Sequence, residues 1–391
     1  MQRSLMLLLL IVAVTLLGGL ILQSREDKKA PVVRALLKFK ENSSEGTTWR
    51  LPADENFQLL LNSNEPTQFE LRYGNSIETY FARRLEVNLK ALAGQHRLEL
   101  KASDRSGNVQ LYSYSLSGLP PLQPLLRFPQ NVSSGQAFSI YMALPPESYG
   151  IHTESINVTF AGQSLSNFVN NNELIALASA DLEFSPGAYP LDISLKDIFD
   201  RETHLEKIIN ITREEQPLQQ LNLSNELLSK RSRENQLFED DVVLEAQKES
   251  VSPLVPLWRS SFLMPIEGLS SSGFGALRRY GVGGDIAFHT GTDIAAIVGT
   301  TIHATNDGVV VIAGYYPIKG GFTMIDHGAR VYSLYFHQET LYVRSGQEVR
   351  RGDAIGEVGN TGLSTGAHLH WEIRVNNIPT DPLTWVDKIL P

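Results

Sequence analysis

Turn-forming residues recur at short, regular intervals from about residue 257 to residue 391, and this spacing constrains the fold most. They lie on average about 10 residues apart and separate segments that are rich in glycine and β-branched residues. Such spacing is typical of an all-β domain built from short antiparallel strands. The turn signals are Asp307-Gly308, Gly320-Gly321, His327-Gly328, Ser345-Gly346, Arg351-Gly-Asp353 and Gly359-Asn-Thr-Gly362.

One strand of this domain is predicted clearly, from His368 to Arg374. Its residues alternate with a period of two, so His368, His370 and Glu372 share one face of the strand. The apolar residues between them share the opposite face, which would anchor the strand in the core. Two imidazoles about 7 Å apart on one face can serve a single site, one as a metal ligand and one as an acid or base.

A second pair of polar residues, His289 and Asp293, offers a nitrogen and a carboxylate oxygen four positions apart. The residues between them, Thr290-Gly-Thr292, are poor helix formers, which favours an extended or turning segment. The chain contains no cysteine, so any metal must be held by His, Asp or Glu. Two histidines and one aspartate would leave one coordination position open, as in a catalytic zinc site that activates water.

Taken with the neighbouring motifs, these residues resemble the lysostaphin-type, LytM-like family of zinc peptidoglycan endopeptidases. The resemblance runs from about Phe262 to Pro382. It implies a C-terminal antiparallel β LytM-like peptidase domain of the duplicated hybrid motif or barrel-sandwich type. The motifs that carry it are Gly273–Arg279, His289-x-x-x-Asp293, Tyr335-Phe-His337, Val343–Gly356 and Gly359–Arg374.

The resemblance also implies a role for each polar residue. His289, Asp293 and His370 would be the zinc ligands. His337 and His368 would flank the attacking water and the scissile carbonyl, one helping to deprotonate the water and both stabilising the tetrahedral intermediate. The sequence does not say which does which. Glu372 is either a residue that orients an imidazole of the site or a salt-bridged surface carboxylate.

Two β-rich stretches precede this domain, and they look like copies of each other. Gly94 is followed by an alternating run and then by Asp104, and Gly187 is followed at the same offsets by such a run and by Asp197. Equal spacing predicts one hairpin used twice, in two small immunoglobulin-like β-sandwich domains. The alternative is two unrelated β segments, since aspartate is common at turns.

The remaining boundaries follow from prolines and from shifts in composition. Pro120-Pro121 separates the two β blocks, and a charged stretch with scattered apolar pairs begins after Arg213. Ser224 is a suitable N-cap, so this stretch predicts one or two linker helices. The predicted domains are an N-terminal segment 1–29, β-sandwich domains 30–119 and 120–213, a helical linker 214–256 and a peptidase domain 257–391.

The N-terminus carries an apolar run from Leu5 to Leu22. Its length is at the lower limit for a transmembrane helix, and no small-x-small cleavage site follows, which favours an uncleaved anchor over a removed signal peptide. The predicted location is the cell envelope, with the chain anchored in the inner or cytoplasmic membrane and its body in the periplasm or extracytoplasmic space. The net charge of −9 disfavours a nucleic-acid partner.

The predicted function is a zinc metalloendopeptidase that uses a metal-activated water to cleave peptide bonds in peptidoglycan stem peptides or cross-links. Zn²⁺ is the cofactor, peptidoglycan the substrate, and protein regulators are a further conceivable class of partner. The alternative is a regulator that binds the wall or activates other wall hydrolases, but the complete ligand set favours an enzyme. A biotinyl or lipoyl carrier, suggested by Val343–Gly356, is disfavoured because neither Lys319 nor Lys388 lies between paired strands of such a repeat.

Overall fold

The computed structural model describes residues 29–387, except 41, 45, 145–150 and 251–252. The chain is mainly β, as predicted, and forms two compact units. The described part of the first unit comprises residues 29–123, 151 and 196–203. The described part of the second comprises 124–144, 152–195 and 204–387.

The first unit is organised around one long strand in which buried and exposed residues alternate. This strand, β4, pairs with three neighbours, and its residues Phe57, Leu59, Leu61, Phe69 and Leu71 are all buried. All seven strands of the unit belong to one sheet, in the order β2-β1-β4-β6-β7-β3, with β5 paired to β4. The strands are β1 Val33–Phe39, β2 Asn42–Ser44, β3 Thr48–Pro52, β4 Asn56–Tyr73, β5 Ser76–Lys90, β6 Gly94–Ser103 and β7 Val109–Leu119.

The second β block contains nine strands in two sheets. One sheet has the order β13-β14-β10-β8, and the other has the order β12-β11-β15-β16-β9. The strands are β8 Leu126–Arg127, β9 Asn131–Ser133, β10 Ala137–Ala143, β11 Asn157–Phe160, β12 Gln163–Ser164, β13 Asn167–Asn170, β14 Glu173–Ser179, β15 Gly187–Lys196 and β16 Glu202–Thr212.

The hairpin predicted to occur twice is present in both blocks. Strands β6 and β15 begin at Gly94 and Gly187, and each is followed by its hydrogen-bonded neighbour, β7 or β16. In both turns the aspartate side chain accepts a hydrogen bond from the backbone N–H four residues later, at 2.9 Å for Asp104 and 3.0 Å for Asp197. The returning strand also has a parallel partner in both cases, β3 or β9.

The linker contributes one strand and two helices: β17 Leu218–Leu221, α1 Asn225–Lys230 and α2 Arg233–Glu249. Ser224 caps α1 as predicted, its side chain accepting a hydrogen bond from the N–H of Leu227. Ser232 caps α2 in the same way, through the N–H of Asn235. Both helices therefore begin at a serine that satisfies one free backbone donor.

The C-terminal domain is an antiparallel β structure of short strands, as the turn spacing predicts. Its ten-stranded sheet has the order β18-β21-β28-β25-β24-β23-β26, with β22 on β27, β27 on β25 and β29 on β28. A three-stranded sheet, β17-β19-β20, includes the linker strand. The elements are β18 Leu269–Ser272, β19 Leu277–Tyr280, β20 Ile286–Phe288, β21 Thr292–Ala295, β22 Thr301–His303, β23 Gly308–Tyr316, β24 Gly320–Asp326, β25 Val331–Leu341, β26 Glu348–Val349, β27 Ala354–Val358, β28 His368–Val375, β29 Ile378–Thr380 and α3 Leu383–Asp387.

The second β block and the C-terminal domain share one hydrophobic core. Phe168, Ile175 and Leu177 of the β block belong to the same buried cluster as Trp371 and Trp385 of the C-terminal domain. Hydrogen bonds cross the same boundary, from Asn376 Nδ2 to the carbonyl of Leu177 at 2.9 Å and from the N–H of Asp381 to the carbonyl of Gly135 at 2.9 Å. Burial of apolar area therefore couples the two parts.

The predicted location needs a correction. Among the residues that the structure describes, no helix is long and apolar enough to cross a membrane. This finding contradicts the prediction of a chain anchored in the inner or cytoplasmic membrane, with its body in the periplasm or extracytoplasmic space. The apolar run from Leu5 to Leu22, on which that prediction depended, lies outside the described residues.

We expect Leu177→Ala to lower the free energy of unfolding of the second unit by about 2–5 kcal/mol, because it opens a cavity in the shared core. Urea unfolding followed by tryptophan fluorescence measures this in a Trp49→Phe background, where the three remaining tryptophans lie in the second unit. Leu125→Ala, at a side chain 76% exposed, is the control and should change the free energy by less than about 0.5 kcal/mol. Equal effects of the two substitutions would contradict a shared core.

Candidate metal centre

Strand pairing brings Asp293 and His370 together. In the antiparallel pair β21 and β28, Asp293 lies directly opposite His370, and Phe336 of β25 lies opposite His370 on its other side. His289 follows β20 and is held by two backbone hydrogen bonds, from its N–H to Ala276 and from the N–H of Gly275 to its carbonyl, both at 2.8 Å. Two strands and a turn thus converge on one point.

Three potential ligand atoms meet at this point. Nε2 of His289 lies 3.0 Å from Oδ1 of Asp293 and 2.9 Å from Nδ1 of His370, and the last two atoms are 2.9 Å apart. A tetrahedral zinc with ligands at about 2.0–2.1 Å has its donor atoms about 3.3 Å apart. The triangle is therefore close to the size that a metal ion requires, and all three residues are buried.

The outer nitrogen of each ligand histidine is engaged by a fixed acceptor. Nδ1 of His289 donates to the carbonyl of Gly273 at 2.8 Å, and Nε2 of His370 donates to Oε1 of Glu372 at 3.0 Å. These bonds leave Nε2 of His289 and Nδ1 of His370 facing the centre, which fixes the tautomers that a metal would need.

Glu372 is itself held in place. The side chain is 1% exposed and accepts hydrogen bonds from Oγ1 of Thr290 at 2.5 Å and from Nε of Arg374 at 2.8 Å. Burial would raise the pKa of Glu372, but the charge of Arg374 and the hydrogen bonds from His370 and Thr290 hold that pKa well below its usual range. Glu372 is therefore an ionised group that is hydrogen-bonded to His370, inside the site and away from the surface.

One proton lies among the three ligand atoms. Burial disfavours the charged form of His370, but its hydrogen bonds to Asp293 and Glu372 raise its pKa to about 9. Burial lowers the pKa of His289, so this ring is neutral. Burial would raise the pKa of Asp293, yet its close contacts with His289 and His370 hold that pKa well below its usual range. The proton on Nδ1 of His370 thus takes the place that a metal cation would take.

His337 occupies an unusual backbone conformation beside this centre. It is a bulged residue of β25, at the point where this strand changes partner from β28 to β27. Its φ of 64° lies in the left-handed region, which is strained for a residue with a side chain. Its N–H donates to the carbonyl of Lys319 at 2.8 Å, and its ring Nδ1 donates to the carbonyl of Thr361 at 2.9 Å. The bulge re-aims the ring, and the two bonds hold it.

His368 completes the set. Its Nδ1 donates to the carbonyl of Gly366 at 2.8 Å, and its Nε2 lies 3.7 Å from Oδ1 of Asp293. The rings of His337 and His368 are 4.7 Å apart between centroids. Because both Nδ1 atoms are engaged by backbone carbonyls, Nε2 is the atom of each ring that can accept a hydrogen bond or a proton when the ring is neutral. All six residues named from the sequence thus lie in one site.

Some residues of the site were not assigned a role from the sequence. Arg278 donates through Nη2 to Oδ2 of Asp293 at 2.6 Å, which holds the ligand carboxylate from the side away from the histidines. Thr290 lies within the His289 to Asp293 motif and donates to Glu372. Arg278 belongs to the Gly273–Arg279 motif, so a signal existed, but only the fold shows what its guanidinium contacts.

The part of the chain that contains this site is similar to a known protein family. Residues 287–382 match the family model described as Peptidase family M23. Peptidoglycan DD-endopeptidase ShyA of Vibrio cholerae is 40% identical over 113 residues, which are 29% of this chain and 26% of that protein. DD-carboxypeptidase/endopeptidase Mpg of Neisseria meningitidis is 44% identical over 96 residues, 25% of this chain and 22% of that protein.

A solved structure is also similar to part of this chain. The catalytic domain of the antimicrobial peptidase lysostaphin from Staphylococcus simulans is 28% identical, with a TM-score of 0.29, and the match covers 31% of this chain and 93% of that chain. The chain thus spans about a quarter of the length of the curated relatives it matches.

We expect binding of Zn²⁺ at about pH 7.5 to release about one proton per ion, because the proton on Nδ1 of His370 must leave. The raised pKa means that protons compete with the metal at every pH below about 9, so the apparent affinity should rise with pH up to that value. Titration calorimetry in buffers of different ionisation enthalpy measures the release. Binding without proton release, or with an affinity that is constant from pH 6 to 9, would contradict the assignment.

We expect Glu372→Gln to lower the affinity for Zn²⁺ by about 10- to 100-fold. The neutral amide accepts the Nε2 proton of His370 more weakly than the carboxylate does, so Nδ1 is less firmly directed at the metal. Competition with a chelating dye measures this affinity. Glu348→Gln removes an exposed carboxylate of the same domain and serves as the control. An unchanged affinity in Glu372→Gln would show that this carboxylate does not support the site.

Proposed function

We propose that the C-terminal domain, a Peptidase family M23 domain, is a zinc metalloendopeptidase that hydrolyses peptide bonds of peptidoglycan, in its stem peptides or cross-links. The observation that carries this proposal is the convergence of Nε2 of His289, Oδ1 of Asp293 and Nδ1 of His370 within 3.0 Å of one another. Two further histidines present unprotonated nitrogens beside it. That is the donor set of a hydrolytic centre.

Zinc fits this site better than a hard cation does. Two imidazole nitrogens and one carboxylate oxygen form a common zinc ligand set, whereas calcium and magnesium prefer oxygen ligands alone. Zinc bound by His289, Asp293 and His370 would supply a Lewis acid that polarises the scissile carbonyl and makes water acidic. The fixed outer hydrogen bonds of both histidines suit this role, since they present the required lone pairs.

His337 and His368 would handle the proton and the developing charge. Burial, above all, together with the nearby histidines, lowers the pKa of His337 to about 3, so this ring stays neutral and its Nε2 can accept a hydrogen bond from the attacking water. His368 is the more exposed ring, and its Nε2 lies beside the carboxylate of Asp293, so a proton gained there faces a negative charge. Water oxygen then bonds to the carbonyl carbon, the C–N bond breaks, and the proton passes to the leaving amine.

The substrate class is suggested by the relatives. ShyA is named a peptidoglycan DD-endopeptidase and Mpg a DD-carboxypeptidase/endopeptidase, and they are similar to 29% and 25% of this chain. By this similarity we favour a bond next to a D-amino acid in a peptidoglycan cross-link. The rest of the chain, which those matches leave out, would place the peptidase domain on its substrate.

The organisation that accompanies this function has four parts. Two β domains, 30–119 and 120–213, would be small immunoglobulin-like sandwiches, followed by the helical linker 214–256 and the peptidase domain 257–391. The two sheets of the second β block and the matching hairpins of both blocks support this arrangement.

We expect the full chain with Zn²⁺ to release soluble muropeptides from purified peptidoglycan, and His370→Ala to release less by at least about 1,000-fold, because a ligand to the metal is lost. Mass spectrometry of the products measures the release and identifies the bond. His204→Ala, which removes an exposed histidine of the second β block, should leave the release unchanged.

The same experiment separates the enzyme from a regulator that binds the wall or activates other wall hydrolases. A regulator would release nothing by itself and would increase the release by a second hydrolase equally well with or without His370→Ala. Identical products from the wild type and His370→Ala would also contradict a zinc peptidase at this site.

A further inference from the structure

The helical linker contacts the C-terminal domain next to the candidate catalytic residues. Strand β17 lies parallel to β19, which carries Arg278, and the helices α1 and α2 contact two segments that hold His337. These two segments are the turn at 317–320, between β23 and β24, and the loop at 359–366 that precedes β28. None of the linker falls within the family match at 287–382.

Glu239 of α2 holds the first segment. Its side chain is 1% exposed, and Oε1 accepts the N–H of Ile318 at 2.5 Å, while Oε2 accepts the N–H of Lys319 at 3.1 Å. Oε2 also accepts a bond from Nζ of Lys319 at 3.2 Å, and this lysine is 8% exposed. A buried carboxylate that receives three donors has a strongly determined position, because loss of any donor leaves charge unsatisfied.

The segment that Glu239 holds is in direct contact with the site. The carbonyl of Lys319 accepts the N–H of His337 at 2.8 Å. The ammonium group of Lys319 lies 5.5 Å from the ring centroid of Phe336, and Phe336 stacks on the ligand His370 with centroids 4.8 Å apart and planes at 11°. A single residue, Lys319, therefore connects Glu239 to His337 through hydrogen bonds.

Lys230, the last residue of α1, holds the second segment. Its Nζ donates to the carbonyl of Gly362 at 2.9 Å. The preceding residue, Thr361, accepts the Nδ1 proton of His337. The two segments are also bonded to each other, from the N–H of Leu363 to the carbonyl of Ile318 at 2.8 Å. Both hydrogen bonds of His337 thus end on backbone that the linker anchors.

His337 needs such support. A residue with a side chain at a φ of 64° is strained, and strain of this kind persists only where the surroundings determine the conformation more than once. We propose that Glu239 and Lys230 are positioning residues for His337, so that the linker is a working part of the peptidase site. This proposal rests on the proposed function.

The first test is kinetic and uses the full chain with Zn²⁺ on a soluble cross-linked muropeptide. For Glu239→Gln we expect kcat to fall by about 10- to 100-fold with KM changed less than about twofold, because His337 is misplaced while the substrate surface is kept. Lys230→Met should lower kcat in the same way and, at a partly exposed position, tests the proposal should Glu239→Gln fold poorly. Glu245→Gln removes an exposed carboxylate of the same helix and is the matched control.

The second test does not depend on activity. Amide hydrogen exchange in the metal-free full chain should be faster by about 10-fold or more at His337 in Glu239→Gln, while the β28 ladder at His370 keeps its protection. The affinity for Zn²⁺ should stay within about twofold of the wild type, because none of the ligands is touched.

The outcomes separate the two proposals. If exchange at His337 and kcat are both unchanged in Glu239→Gln and in Lys230→Met, the positioning role is wrong. If amide exchange rises as much throughout β28 as at His337, the positioning role is also wrong, because the substitution then loosens the whole domain. If exchange at His337 rises selectively but the wild type cleaves no muropeptide, the proposed function fails and the positioning of His337 stands.

Discussion

The antiparallel pairing of β21 with β28 is the constraint on which the candidate site depends. It places Asp293 opposite His370, and the pairing of β28 with β25 places Phe336 on the other side of the same histidine. A slip of one residue in either register would turn His370 toward the core and Leu369 toward the site. The buried face of β28, with Leu369, Trp371 and Ile373, prevents this slip, so core burial and ligand placement are set by the same strand.

Each histidine of the site has one nitrogen held by a fixed acceptor and one directed inward. The acceptors are the carbonyls of Gly273, Thr361 and Gly366 and the carboxylate of Glu372. The single charged acceptor belongs to His370, whose hydrogen bonds to Asp293 and Glu372 outweigh burial and raise its pKa to about 9. Two of the inward nitrogens, on His289 and His370, meet Asp293 at the triangle, and the other two, on His337 and His368, lie beside it. Under the proposed function, this arrangement would separate metal binding from proton transfer.

The remainder of the second unit supports this arrangement through two kinds of contact. The second β block adds apolar residues to the core beneath the strands that carry the candidate site. The linker adds buried polar contacts, of which the pair Glu239 and Lys319 is the most buried. Apolar burial stabilises the unit without direction, whereas a buried carboxylate with three donors fixes the position of one particular turn. The bulged His337 depends on the second kind.

Much of the fold and of the candidate site could be predicted from the sequence. Turn spacing and alternation predicted the β fold of the C-terminal domain, the strand at His368 to Arg374 and the repeated hairpin, because these patterns are local consequences of backbone geometry. His289, Asp293, His368, His370 and Glu372 stood out by type and spacing, whereas His337 and the role of each residue came from the resemblance to a known family. The location predicted from the N-terminal apolar run was wrong.

Only the tertiary structure decided that Glu372 is buried against His370, that Arg278 holds Asp293, and that Glu239 contacts the turn beside His337. The contacts of Arg278 and Glu239 join residues 15 and 80 positions apart, and strand register and helix docking, which set them, leave no local pattern in the sequence.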